Sequence, residues 1–510
     1  MKKTLRALSL VLVLMLALSA FAFAEGTKTY NGIDVSEHVD ITLIYLGDPQ
    51  TDTDKILGLL NEKLEEDLNV TLHLENMPLS DYTLKYALRF QDGDPFDIIY
   101  TCTWAYYAET ATKGAFVEIT DEVLEKYMPL AKEYEAPYAW EQAKVDGKIY
   151  FMPANLTAPA KNGAVVIRGD LREKYGLGEL ETFDDLEEYL KCVAEDDESG
   201  VTFPYYNDAS TFSNYLFGML YQGVNQYVGI GDYFAWHYTD GSAPAADELF
   251  YRYGTEEYKE FAKKMKEWCD MGFWSKNAAN DTTDNKEAFL AGNSAMHVSN
   301  LGTVGVTAKA MYADHPEWQP EVYDLGTTDL PLKGTYTGDG YAVTTLSENP
   351  ERAFMVLDTI KFNKDYYNLM RLGIEGYHYV DEGNGLRSTT EHSADYAFGH
   401  ALSWGFKNTM FELTDINQWA QQTEIANDWE ANWIQNPISN FSFDLSNLQN
   451  EVAAMSNVAT KYIQVLNLGL VDDVDATWDA MMAEAEAAGI ETMQDELVSQ
   501  YEAFIERMGW

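Results

Sequence analysis

The sequence predicts an α/β fold in which open sheets are flanked by helices, and three observations carry that prediction. Residues 41–100 run as β-α-β-α-β, the pattern of an open sheet with ligand space beyond the carboxyl ends of its strands. A second strand-to-helix unit lies at 338–379, with YAVTT at 341–345 as the strand and Ala353, Phe354, Leu357 and Ile360 on one face of the helix. A long stretch of different texture separates the two units, so the chain leaves its first lobe and re-enters it. Beyond residue 379, helices dominate, at 414–436, 446–469, 475–488 and 491–508, which predicts a helical C-terminal region.

In chain order, 41–46 is a buried-type strand that ends at Gly47, Asp48 and Pro49. A helix over 52–68 follows, with Ile56, Leu57, Leu60, Leu64 and Leu68 on one face and Asn69 at its end. Residues 70–74 alternate as a second strand, 82–90 form a short helix closed by the DGDP turn, and 96–100 are a third strand. Residues 145–153 read as a turn, a strand and a stop; 164–168 are a strand that leads into a second, helix-rich region. Helices follow at 170–175 and at 182–194, where Phe183, Leu186 and Leu190 give the apolar face. Residues 200–255, rich in Gly and Tyr with little period, read as loops over a binding surface. Helices at 255–271 and 285–290 and a strand at 294–298 come next, and the Gly-rich 331–340 carries the chain back. In the late unit Asn349 is the expected N-cap and Pro350 the first helical residue.

Residues 1–24 carry a basic start (Lys2, Lys3, Arg6), an apolar run at 8–18 and an Ala22-Phe23-Ala24 cleavage site, the anatomy of a cleaved export signal before Glu25. The apolar run is short for a membrane span. Removing the signal takes the formal charge from −48 to −51, a surface that repels nucleic acid and anionic lipid. Cys102, Cys192 and Cys269 are odd in number with no C-x-x-C spacing, which leaves three thiols, or one bridge and one thiol. No cysteine follows the signal to take a lipid.

Several segments resemble the extracellular solute-binding proteins of ABC importers, in the maltose-binding-protein-like group of carbohydrate binders. They are FDII at 96–99, DGKIYFMP at 146–153, AFLAGNSAM at 288–296 and LSENPERA at 346–353. GIEGYHY at 373–379 and NFSFD at 440–444 resemble the large type with an extended C-terminal helical region. The resemblance implies a two-lobe periplasmic-binding-protein-like fold with the ligand in the cleft between the lobes. It implies lobe 1 over 25–163 and 335–383, lobe 2 over 164–334 and 384–510, and crossings near 160–166, 331–338 and 380–390. It also implies an exported monomer that captures a sugar or oligosaccharide, closes on it and delivers it to the permease's transmembrane subunits. No enzymatic step and no cofactor are implied, and the missing lipid-attachment cysteine departs from the family pattern.

The site candidates follow from sugar chemistry. Sugars stack C–H patches on aromatic faces and need paired donors and acceptors for their hydroxyls, and aromatic residues make up 14% of this chain. Trp104, Tyr106 and Tyr107 follow the third strand, where an open sheet gathers ligand; the other reading makes them core aromatics. Asp48 matches a family position that holds a sugar hydroxyl, or else caps the 52–68 helix. Asn155 and Asn300 match cleft-edge positions. Tyr206, Trp236 and Trp274 are candidates from the second lobe, and Tyr205 is a further one. Asp339 and Tyr341 either face the cleft or stiffen the re-entry crossing, while His378 and Tyr379 divide evenly between core and site.

Phosphate-loop, dinucleotide and serine-hydrolase signatures are missing from the sequence, as is H-E-x-x-H. No metal site is expected. A secreted glycoside hydrolase or lyase using a cleft carboxylate pair is the alternative, because such pairs need only meet in space. An adhesin of the same fold is a third reading.

Overall fold

The structure, a computed structural model, describes residues 28–508 except 80, 208–213, 326–329, 440, 442 and 446. The export signal expected at 1–24 therefore lies outside the described residues, as do parts of the 440–444 motif.

The chain folds as two compact units, one built from residues up to 156 together with 336–413, the other from 157–335 and 414 onward. The family resemblance implies 384–413 in the second lobe and a last crossing near 380–390. The structure assigns this segment to the first unit, and long-range bonds explain why. Tyr341 Oη donates to Leu402 O at 2.7 Å, and the buried Arg371 donates to Ser403 Oγ at 2.9 Å and to Glu412 Oε1 at 2.5 Å.

The first unit is centred on a five-stranded sheet in the order Val70–Met77, Val39–Leu46, Ile98–Tyr100, Gly340–Val343, Met152–Pro153. The first three strands are parallel, with Val39 opposite Val70 and Leu43 opposite Ile98. The late strand, expected to extend a mostly parallel sheet, joins it antiparallel, with Tyr341 opposite Tyr100. It arrives from the other unit rather than through a helical crossover within the sheet, so the connection that enforces parallel neighbours is absent.

Helix Thr53–Leu68 buries Ile56, Leu60, Leu64 and Leu68 and ends at Asn69 in a left-handed conformation. Leu57, at the margin of that stripe, is only half-buried. Helix Pro350–Phe362 starts with its proline in the first turn, but Asn349 makes no side-chain cap; its backbone N–H donates to Ser347 Oγ instead. This helix is buried nearly all round, and it carries charge inward. Lys361 pairs with Glu135, both fully buried, and Asp358 accepts the backbone N–H groups of Leu130 and Ala131. A buried pair of this kind costs desolvation that its attraction only partly offsets; burial holds Lys361 down and Glu135 up.

The second unit has two three-stranded antiparallel sheets. One runs Met296–Ser299, Ala164–Arg168, Pro320–Tyr323; the other runs Tyr227–Ile230, Phe234–His237, Phe250–Tyr251. The second replaces the aperiodic loops expected over 200–255. Helix Phe183–Glu195 opens with a full capping box, Thr182 with Asp185. The C-terminal helices are Ala420–Asn432, Gln449–Val458 with its continuation to Asn467, Val474–Ala487 and Ile490–Met508. They pack Met455, Met481 and Leu497 into a core with Trp268 and Trp274.

All three cysteines are free thiols, Cys102 and Cys269 buried and Cys192 partly so. Among the described residues no helix is long and apolar enough to cross a membrane.

Candidate functional site

In the first unit, the carboxyl edge of the parallel strands gathers an aromatic surface around one ion pair. Past strand Ile98–Tyr100 the chain turns tightly: Ala105 N and Tyr107 N both donate to Cys102 O, and Thr101 Oγ1 donates to Ala105 O. The turn presents Trp104 outward, 53% exposed, with its indole N–H donating to Gly338 O at 2.7 Å. Trp104 meets Tyr100 at 5.9 Å, with the rings tilted, and Trp404 at 6.5 Å, edge to face, between ring centroids. Tyr106, next in the turn, has φ +59°, a strained conformation for a bulky side chain. Its half-buried ring stacks on Tyr82 at 5.5 Å.

Beside the rings, Asp339 takes hydrogen bonds from Tyr100 Oη at 2.5 Å and from Lys407 Nζ at 2.6 Å. Burial pushes the Tyr100 hydroxyl far above its ordinary range, so it stays a donor to the carboxylate. The Ala401–Phe406 turn carries Trp404 and leads to Lys407. It sits close over Gly47, where an added Cβ would lie 2.7 Å from Ala401 Cβ. The strand end at Gly47 therefore has to be glycine, and its φ of +104° asks for the same.

The other sequence candidates differ in their surroundings. Asp48 is exposed and makes no side-chain hydrogen bond among the described residues. It is not a helix cap either, because the cap position of Thr53–Leu68 is Asp52. Asn155 and Asn300 are committed to backbone. Asn155 is buried, its side chain donating to Tyr134 O and its main chain bonded to Lys407 and Thr409, so it secures the segment that carries the lysine. Asn300 caps helix Leu301–Asp314 by accepting from Thr303 N. Tyr107, Trp274 and Tyr341 belong to the core rather than to a ligand surface. Their polar atoms already donate to Ala143 O, Leu468 O and Leu402 O, which satisfies the amphipathic ring end inside the fold. Tyr205 and Tyr379 are buried too, as is His378, whose ring bonds Asp52. Tyr206 is half-buried, edge to face with Phe203.

Trp236 is also buried, but it stands in the wall of a hollow of about 820 Å³ in the second unit. Tyr227, His237 and Phe250 line the same hollow, together with Thr239, Asp240 and Glu257.

Tyr100, Trp404 and Lys407 are functional candidates that carry no signal in the sequence. Tyr100 looks like any strand residue, and 398–407 has no period that would mark it. Among the described residues, no group of three or more His, Cys, Asp or Glu side chains is arranged to hold a metal ion.

A family model described as bacterial extracellular solute-binding protein matches residues 48–364, and a domain of unknown function matches 437–506. No curated protein matches the chain. Among solved structures, the N-glycan transport solute binding protein of Streptococcus pneumoniae aligns with TM-score 0.74 at 20% identity, over 92% of this chain and 99% of that one. The same protein in complex with Man1GlcNAc gives TM-score 0.72 at 19% identity, covering 92% and 100%. A substrate binding protein of an S. pneumoniae ABC transporter, in complex with kestose, gives 0.65 at 15%, also covering 92% and 100%. At these identities the likeness establishes the two-lobe solute-binding fold.

Proposed function

Because the chain belongs to the bacterial extracellular solute-binding protein family, we propose that it captures an oligosaccharide and delivers it to an ABC permease, catalysing no reaction. The observation that carries this reading is the exposed Trp104 ring on the carboxyl edge of the sheet, packed against Tyr100, whose hydroxyl donates to the Asp339 carboxylate. A half-exposed indole, pinned by its own N–H, offers a rigid face for sugar C–H groups at little entropic cost. Both Asp339 oxygens are engaged, one by Tyr100 and one by Lys407, and such a carboxylate retains acceptor lone pairs for sugar hydroxyls. Relatives of the same fold are described with Man1GlcNAc and with kestose, which supports an oligosaccharide as the ligand class.

In this reading, ligand favours a closed arrangement of the two units that the permease recognises. The protein acts as an exported monomer after loss of residues 1–24. Titration calorimetry against a panel of oligosaccharides tests capture, and mass spectrometry after prolonged incubation with the best binder tests turnover. Binding with an intact glycan is the expected result. Shorter products that scale with protein would reassign the chain to the glycoside hydrolases.

A further inference from the structure

We propose that the hollow of the second unit is itself a saccharide site, taking an electrically neutral sugar unit; this rests on the oligosaccharide reading above. Its size, about 820 Å³, is within the range of small-molecule sites. Its rings form a corner: Tyr227 stands 4.8 Å from Phe250 at 65° and 5.7 Å from His237 at 81°, centroid to centroid. Tyr227 and Phe250 are half-buried and His237 is exposed, so the corner is supported from behind and open in front. The cross-strand pairing of Tyr227 with His237 fixes these two side chains on one face of the small sheet.

The polar lining sets the ligand class. Asp240, Glu248 and Glu257 line the hollow, and no lysine or arginine does. An anionic sugar would meet carboxylates without a compensating cation, which the local field disfavours. A divalent cation has no grip either, since no group of three ligating side chains exists among the described residues. What remains is a neutral ligand rich in hydroxyls, for which carboxylates are strong acceptors and rings are platforms. Asp240 and Glu248 are partly spent on the backbone N–H groups of Ser242 and Ala245. Glu257 has no hydrogen bond or ion pair among the described residues, and nor does the exposed Thr239.

The test uses the full chain and defined probes: maltotriose, cellotriose, mannotriose and chitotriose as neutral ligands, and trigalacturonate as the acidic one. Affinities are measured calorimetrically for wild type, Tyr227→Ala, Glu257→Gln and Trp104→Ala, with a melting curve for each. At least one neutral probe should bind, Tyr227→Ala should weaken it about tenfold or more and Glu257→Gln about threefold or more, and trigalacturonate should not bind. Glu257 is exposed and unbonded, so its variant reports on ligand even if loss of the Tyr227 ring loosens the small sheet. Wild-type affinity in both hollow variants, with loss only in Trp104→Ala, overturns this inference and leaves the first-unit reading standing. Trigalacturonate binding as well as the neutral probes overturns the neutral class. Failure of every neutral probe overturns this inference, while the first-unit reading is decided separately by the wider oligosaccharide panel.

Discussion

Replacing Trp104 by alanine separates a binding surface from a structural ring. The side chain is 53% exposed, so about half of the ~200 Å² that a large aromatic ring buries is lost from the fold, about 100 Å². At about 25 cal/mol per Å² that is ~2.5 kcal/mol as an upper bound, and the bond to Gly338 O adds about 1 kcal/mol. For a unit of this size, a cost of about 2–3 kcal/mol lowers the melting temperature by roughly 4–12 °C and leaves the protein folded at 25 °C. If Trp104 is a sugar platform, affinity falls by about 1–3 kcal/mol, roughly 5- to 150-fold, in titrations run well below the melting transition. The edge contacts with Tyr100 and Trp404 are lost in the same change, so circular dichroism in the aromatic region should change as well. A variant that melts lower yet binds every glycan as tightly as wild type would refute the placement of ligand on this edge.

Three further outcomes follow from the packing. Trp274→Ala removes a ring that is 1% exposed and bonded to Leu468 O; it should cost about 3–5 kcal/mol of stability with affinity unchanged, measured by denaturant melts and calorimetry. Gly47→Ala places a Cβ 2.7 Å from Ala401 Cβ at φ +104°; about 1–3 kcal/mol of strain should lower the melting temperature and, by displacing the turn that carries Trp404, weaken glycan binding. Unmoved values of both would show that the turn is not seated there. Burial pushes His400 down to about 3 from 6.5, so the folded state binds fewer protons than the unfolded one between those values. Its stabilising contribution is complete above pH 6.5 and is lost as pH falls, by about 3 kcal/mol at pH 4.5. Asp358, raised by burial to about 7 from 3.8, slopes the opposite way, its contribution lost as pH rises through that window. Comparing wild type with His400→Gln between pH 7.5 and 4.5 isolates the histidine, and identical slopes would refute its burial as a neutral ring.

What the sequence determined by itself is the local order of the chain. The apolar stripe of Ile56, Leu60, Leu64 and Leu68 and the β-branched strands around it are written at periods of 3.6 and 2, which short-range geometry reads directly. The late strand and helix, with Pro350 in the first turn, were legible for the same reason. So was the turn that exposes Trp104, through its place after a strand of an open sheet.

Tertiary structure decided everything that depends on which distant segments meet. The direction of Gly340–Val343 depends on the route by which the chain returns, and strand propensity is the same either way. Residues 384–413 join the first unit through Tyr341, Arg371 and Ser403, contacts that leave no periodic trace. Whether an aromatic is platform or core is set by what packs over it. Trp104 and Trp274 are the same side chain, one open beside Gly338 O and the other closed over by the segment ending at Leu468. The Tyr100–Asp339–Lys407 group exists only because the sheet pairs position 100 with 341 and the 401–406 turn folds back over Gly47. Long-range packing supplies that proximity, and no local propensity encodes it.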